Sequence, residues 1–234
     1  FSYQGDASAH RGGQLRGARC GTLPRADFVN FIQNHDQIGN RPFGERLSML
    51  VKPEPLEASL AVLMLQPSPP LMFMGDEWGA TEPFRFFCDF KGDLGEAVRQ
   101  GRKTEFADWH AAAGDGIPDP LAETTKDTAV LDWDALAKSP HKERLALVRA
   151  LLKARRDHIE PLLPAMIGEG EAHLRAGLLT ARWRSGGKTL ILLANLSESA
   201  RPKPDALVWG KPVWGDTPPQ ELPPWAVYAA IGSA

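Results

Sequence analysis

The chain has 234 residues, 43% of them apolar, which is enough for one large domain or two small ones with a buried core. With 27 basic and 29 acidic residues its formal charge is −2, so nothing in the charge balance favours nucleic acid or an anionic membrane as partner. The two cysteines, Cys20 and Cys88, lie far apart without metal-ligand spacing, and free thiols in a reducing cytoplasm are expected, a single disulfide being the alternative. No apolar run reaches membrane-spanning length. The start, Phe1-Ser2-Tyr3-Gln4-Gly5, is not a signal peptide and lacks a Met, as expected of a piece of a longer polypeptide.

Residues 1–25, rich in Gly, Arg, Ser and Ala, show no period and read as loop. Asp27 to Gln33 alternates with β-branched and aromatic residues and predicts a strand, with Asn34 to Asn40 as the loop at its C-terminal end. Leu56 to Gln66, introduced by Pro53 and Pro55 and stopped by Pro67, predicts a buried helix. Leu71-Met72-Phe73-Met74 is a short, wholly apolar run of the kind found in strands buried on both faces. This order predicts a βαβ unit. Its two polar loops, Asn34 to Asn40 and Asp76 to Trp78, then share the end of the sheet where α/β barrels build their active sites.

Further along, Asp93 to Phe106 predicts a helix weakened by Gly95 and Gly101, and Gly114 to Thr128 a loop. Ser139 and Pro140 open another helix, with Leu145, Val148, Leu152 and Ile159 as its apolar stripe and Arg149 to Arg156 as a solvated face. His173 to Arg184 and Lys188 to Leu196 are extended runs joined by Ser185-Gly186-Gly187, a hairpin signal, and two more strands are predicted at Ala206 to Trp209 and Trp225 to Ile231. The domain division this predicts is 1–164 and 165–234, the second part being a small antiparallel, sandwich-like β domain. Asn195-Leu196-Ser197 matches a glycosylation acceptor but falls inside a predicted strand. The remaining histidines, His10, His110, His141, His158 and His173, are scattered and suggest neither a metal site nor a cofactor.

Three ordered blocks carry a resemblance. The first is Phe28-Val29-Asn30-Phe31-Ile32-Gln33-Asn34-His35-Asp36-Gln37-Ile38-Gly39-Asn40-Arg41. The second runs from Pro70 through Gly75-Asp76-Glu77-Trp78-Gly79-Ala80 to Pro83-Phe84-Arg85-Phe86-Phe87-Cys88-Asp89-Phe90, and the third is Glu96-Ala97-Val98-Arg99-Gln100-Gly101-Arg102. Together they resemble strands seven and eight, with their loops, of the α-amylase superfamily of glycoside hydrolases. The extended first block is similar to that of the malto-oligosyltrehalose trehalohydrolases.

The resemblance implies an α/β fold, the C-terminal part of a TIM (β/α)8 barrel, ahead of the β domain. It implies hydrolysis, with retention, of the α-1,4 bond beside the trehalose end of malto-oligosyltrehalose, with that sugar or a related α-glucan as partner. It implies Asp36 as the transition-state-stabilising carboxylate and His35 as a sugar ligand, with Gln37, Ile38, Gly39, Asn40 and Arg41 completing the substrate loop and Glu77 and Trp78 beside it. Gly39 and Asn40 also suit a turn, Arg41 an ion pair, Glu77 a loop-closing contact and the aromatics a core. The family's nucleophile, general acid and supporting Arg match no motif here. The isolated chain is therefore expected to be inactive and to need the N-terminal barrel segment of the same enzyme. Other α-glucan enzymes of the superfamily, branching or debranching, and a non-catalytic glucan-binding module are the alternatives.

Overall fold

The structure is a computed structural model; it describes residues 5–19, 21, 23–107, 116–166, 168 and 170–233. Cys20 and His110 lie outside these residues, and Cys88 is a free thiol. In chain order the elements begin with a two-residue hairpin, β1 (Asp6–Ala7) and β2 (Leu15–Arg16), inside the segment expected to be loop. Among the described residues six α-helices follow: α1 (His35–Gly39), α2 (Leu47–Leu50), α3 (Pro53–Leu65), α4 (Gly92–Glu105), α5 (Glu123–Asp127) and α6 (His141–Ala154). Seven strands complete the chain: β3 (Glu171–Arg175), β4 (Leu178–Ser185), β5 (Lys188–Asn195), β6 (Arg201–Pro202), β7 (Lys211–Trp214), β8 (Glu221–Leu222) and β9 (Val227–Ser233). None of the described helices is long and apolar enough to cross a membrane.

Backbone contacts divide the chain into two compact, discontinuous units. One comprises residues 1–30, 61–70 and 153–234, the other residues 31–60 and 71–152.

The first unit is built on a five-stranded antiparallel sheet of order β3-β4-β5-β9-β7, with β6 and β8 paired separately. Its central strand β5 is buried from Thr189 to Asn195, so both faces are covered. Ile191 and Leu193 pack with Leu207 and Leu222, and Leu178, Trp209 and Tyr228 flank them. The Gly186-Gly187 turn forms as expected, both residues at positive φ. The run from His173 to Arg184 is broken by a second hairpin at Ala176-Gly177, where Ala176 takes φ 49°. An alanine in the left-handed region carries no sequence signal, which is why that turn was not foreseen. The strand expected at Ala206 to Trp209 forms instead at Lys211–Trp214. Asn195 is fully buried; its side chain donates to the carbonyls of Ser199, Leu222 and Pro223 and accepts from Ser197 Oγ. Those bonds account for the Asn-Leu-Ser pattern as a structural one.

The strands expected at Asp27 to Gln33 and Leu71 to Met74 do not form as ladders. A 3-10 turn covers Arg25–Asp27, and among the described residues the first segment makes one parallel bridge, Asn30 with Pro70, the residue just ahead of the second segment. Parallel strands are stabilised by neighbours on both sides. Among the described residues neither segment has another strand to pair with, and each carries exposed apolar side chains: Val29 and Phe31 in one, Leu71 and Met74 in the other. The expected buried helix is α3, in which Leu60, Met64 and Leu65 are buried. Its end is held by Arg155, 4% exposed, which donates to the carbonyls of Met64, Gln66, Pro67 and Ser68 at 2.5–3.0 Å. Arg155 belongs to the face expected to be solvated. A π-helical turn over Arg155–Ile159 rotates it inward, and the buried stripe is Val148, Leu151 and Ile159 rather than Leu145 and Leu152.

In the second unit α4 follows the expectation, while α5 forms inside the expected loop. Arg46 is fully buried there, its Nε and Nη1 donating to the carbonyls of Glu82 and Met74 and its guanidinium lying 5.1 Å from the Phe73 ring.

Candidate functional site

The segment after Gln33 is a single helical turn rather than a loop. Asn34 caps it: its Oδ1 accepts from the Asp36 amide at 2.8 Å, and Gln37 Oε1 accepts from the Asn34 amide at 2.9 Å. This reciprocal pair is a capping box, legible as Asn-x-x-Gln. Gln37, expected at the sugar, is thus engaged with the backbone. Ile38 is fully buried and anchors the turn from beneath. The apolar anchor leaves His35 and Asp36 on the outer side, their side chains 66% and 65% exposed, with His35 Nε2 3.3 Å from Asp36 Oδ1.

His35, Asp36, Gly39 and Asn40 line a cleft of about 210 Å³ together with Phe84, Arg85, Phe86 and Phe87. Its far wall is an aromatic cluster: Phe84 meets Phe87 edge-on at 5.7 Å and Phe73 at 5.0 Å. Phe86 and Phe87 remain partly exposed on this wall. The Phe-Arg-Phe-Phe run was the signal for this wall. Gly44, at φ 67°, lets the wall approach: the Phe84 amide donates to the Gly44 carbonyl at 2.8 Å.

The other expected residues sit elsewhere. Arg41 donates to the Glu45 carbonyl at 2.6 Å. Trp78 is 2% exposed, its ring centroid 5.1 Å from that of Trp133 at a tilt of 44°, with its carbonyl 2.9 Å from His141 Nδ1, so it is a core residue of this unit. Glu77 is half-buried, and neither it nor Trp78 lines the cleft.

Beneath the turn lies a polar network not foreseen. Gln33 Nε2 donates to Asp76 Oδ1 at 2.8 Å, Gln33 Oε1 accepts from the Leu47 amide at 3.0 Å, and the Phe73 amide donates to Asp76 Oδ2 at 3.2 Å. Arg46 Nη1 stands 3.6 Å from Asp76 Oδ1. Burial pushes the Asp76 carboxyl up to about 6, against the opposing pull of the Gln33 and Phe73 bonds and of Arg46. Burial also lowers Arg46 from its ordinary value, with Asp76, Glu82 and Glu77 opposing. In sequence Asp76 and Gln33 are two polar residues 43 positions apart, and nothing local joins them.

Residues 168–228 match a domain of unknown function (DUF3459). The chain is 38% identical over 206 residues to a malto-oligosyltrehalose trehalohydrolase from Deinococcus radiodurans, covering 86% of this chain and 34% of that protein. It is 35% identical over 159 residues to the enzyme of the same name from Saccharolobus solfataricus, covering 68% and 26%. The chain is the counterpart of the C-terminal portion of the malto-oligosyltrehalose trehalohydrolases, within the α-amylase superfamily. It spans about a third of the length of the curated relatives it matches. A candidate α-amylase from Salmonella typhimurium superposes with a TM-score of 0.90 at 40% identity, over 99% of this chain and 39% of that one. An Anoxybacillus α-amylase shares the fold, with a TM-score of 0.51 at 16% identity, over 88% and 38%.

Proposed function

We propose that the chain is part of a retaining glycoside hydrolase that cleaves the α-1,4-glucosidic bond beside the trehalose end of malto-oligosyltrehalose and releases trehalose. The observation that carries this is the placement of the Asp36 carboxylate, beside His35, on a cleft whose opposite wall is Phe84 to Phe87. Glucosidic cleavage passes through an oxocarbenium-like transition state. A carboxylate that accepts hydrogen bonds from neighbouring ring hydroxyls, with an imidazole donating beside it, grips the sugar more strongly as the anomeric carbon becomes cationic. The aromatic wall supplies an apolar face for a glucose ring. In this proposal His35, Gly39 and Asn40 contact sugar, Asp36 touches the reacting ring, and Gln37 and Arg41 shape the loop that presents them.

Nucleophile and general acid are assigned to no residue of this chain. The proposal places them on a preceding barrel segment of the same polypeptide, whose strands would cover Val29, Phe31, Leu71 and Met74. Residues 1–164 would then belong to the barrel and 165–234 to an appended β domain, in a cytoplasmic enzyme.

The test is made on the complete polypeptide that carries this chain. Incubated with a malto-oligosyltrehalose it is expected to release free trehalose, and Asp36→Asn to lower kcat by ~10²–10³. Unaltered turnover by Asp36→Asn, or products without trehalose, overturns the proposal.

A further inference from the structure

Arg102 lies on α4, 66 residues from Asp36 in sequence, yet its side chain closes over the back of the Asp36 turn. One guanidinium nitrogen donates to the Gly39 carbonyl at 2.8 Å and another to Asn40 Oδ1 at 3.4 Å. Gly39 is the last residue of α1 and Asn40 its C-cap, so Arg102 engages the end of the turn, where carbonyls lack partners within the helix. The guanidinium also lies over two rings, 4.8 Å from the Phe86 centroid and 4.6 Å from that of Phe106. Phe86 is part of the cleft's aromatic wall, and Phe106 is buried. Glu105, one turn along α4, accepts from Arg102 Nη1 at 2.9 Å and holds it in place. A single side chain, 15% exposed, therefore ties the turn that carries Asp36 to the wall that faces it.

We propose that Arg102 is a positioning residue for the Asp36 cleft, setting the distance between the transition-state carboxylate and the aromatic wall. The inference rests on the function proposed above and adds a residue to it. Asp36 stands on a helix of only five residues, too short to hold its own shape. The capping box secures its start and Ile38 its underside, while Arg102 secures its end. A planar, delocalised cation suits this place, because it donates to the turn while lying against two aromatic rings. Lysine supplies the charge but neither the fork nor the stacking.

The test combines kinetics of the complete polypeptide with amide exchange in the same protein. Arg102→Ala is expected to lower kcat about 100-fold while changing KM less than threefold, since displacing a catalytic group by about 1 Å has a cost of that size. Exchange protection of the Asn40 and Arg41 amides, which bond to the Asp36 and Ile38 carbonyls, is expected to be lost while α4 keeps its own. Arg102→Lys, which retains the charge, is expected to recover less than a tenth of the lost rate. Unchanged kcat in Arg102→Ala, full recovery by Lys, or loss of protection throughout α4 would each overturn the inference. Asp36→Asn, run in parallel, separates the two claims. If that variant loses its rate and Arg102→Ala does not, only the positioning role fails. If Asp36→Asn keeps its rate, the proposed chemistry fails, and with it the role given to Arg102.

Discussion

Gln33 and Asp76 are joined side chain to side chain at 2.8 Å, and through that bond the segment leading into the Asp36 turn is tied to the loop that follows Met74. Gln33 passes the connection on to the Leu47 amide, so one buried amide group braces three stretches of chain. The bond is also where the unit's stability should respond most clearly to pH.

Burial raises the Asp76 carboxyl from 3.8 to about 6. The folded protein therefore holds this proton over a range in which the unfolded chain has released it. Asp76 lowers stability progressively as pH rises from about 4 to about 6, by about 3 kcal/mol in total at 1.36 kcal/mol per pH unit, with no further change above that range. Asp76→Asn, which cannot ionise, is expected to flatten this part of the profile. Urea unfolding at pH 4 to 7 measures it, and an equal slope in both proteins would exclude Asp76 as its source.

Arg155 serves four backbone carbonyls at the end of α3 from a position only 4% exposed. Replacing it with Met leaves buried acceptors unpaired and should cost roughly 3 kcal/mol or more. Arg155→Lys should regain less than half of that, because an ammonium does not reproduce the fork. Chemical denaturation of the two variants checks this; a loss below about 1 kcal/mol for Arg155→Met would show that relaxation or water replaces the bonds.

Gly44 has no room for a side chain. A Cβ there would sit 2.5 Å from the carbonyl carbon of Phe84 and the amide nitrogen of Arg85, at φ 67°. Both obstacles are backbone, so Gly44→Ala should displace the aromatic wall and cost ~2 kcal/mol. Shifts in the amide resonances of Phe84 to Phe87, with a lower unfolding midpoint, are the expected signature. A spectrum unchanged across those four residues would show that the strain is absorbed elsewhere.

Some of this was readable from local patterns. The apolar block between Pro53 and Pro67 could only be a buried helix, and Ser-Gly-Gly between two extended runs could only be a tight turn; both formed. Asn34 and Gln37 held a capping box in plain view, yet the apparent strand before them made the segment look like loop. Strand pairing was the weak point, because a ladder depends on a neighbour that the segment's own residues do not specify. Hence Asp27 to Gln33 and Leu71 to Met74 have strand-like composition, yet among the described residues the pairing there is a single bridge, Asn30 with Pro70, just ahead of Leu71.

The sequence by itself determined the family, through three ordered blocks, and the short-range geometry around Asp36, because caps, turns and helix periods are set by residues within a few positions of one another. Tertiary structure decided which side chains line the cleft and which hold it. It took Trp78 and Ile38 into the core, engaged Gln37 and Arg41 with the backbone, and brought Arg102, Gly44 and Phe84 to the turn. The physical reason is the range of the interactions. A buried guanidinium or carboxylate must find partners wherever packing supplies them, and for Arg102, Arg155 and Asp76 those partners lie dozens of residues away.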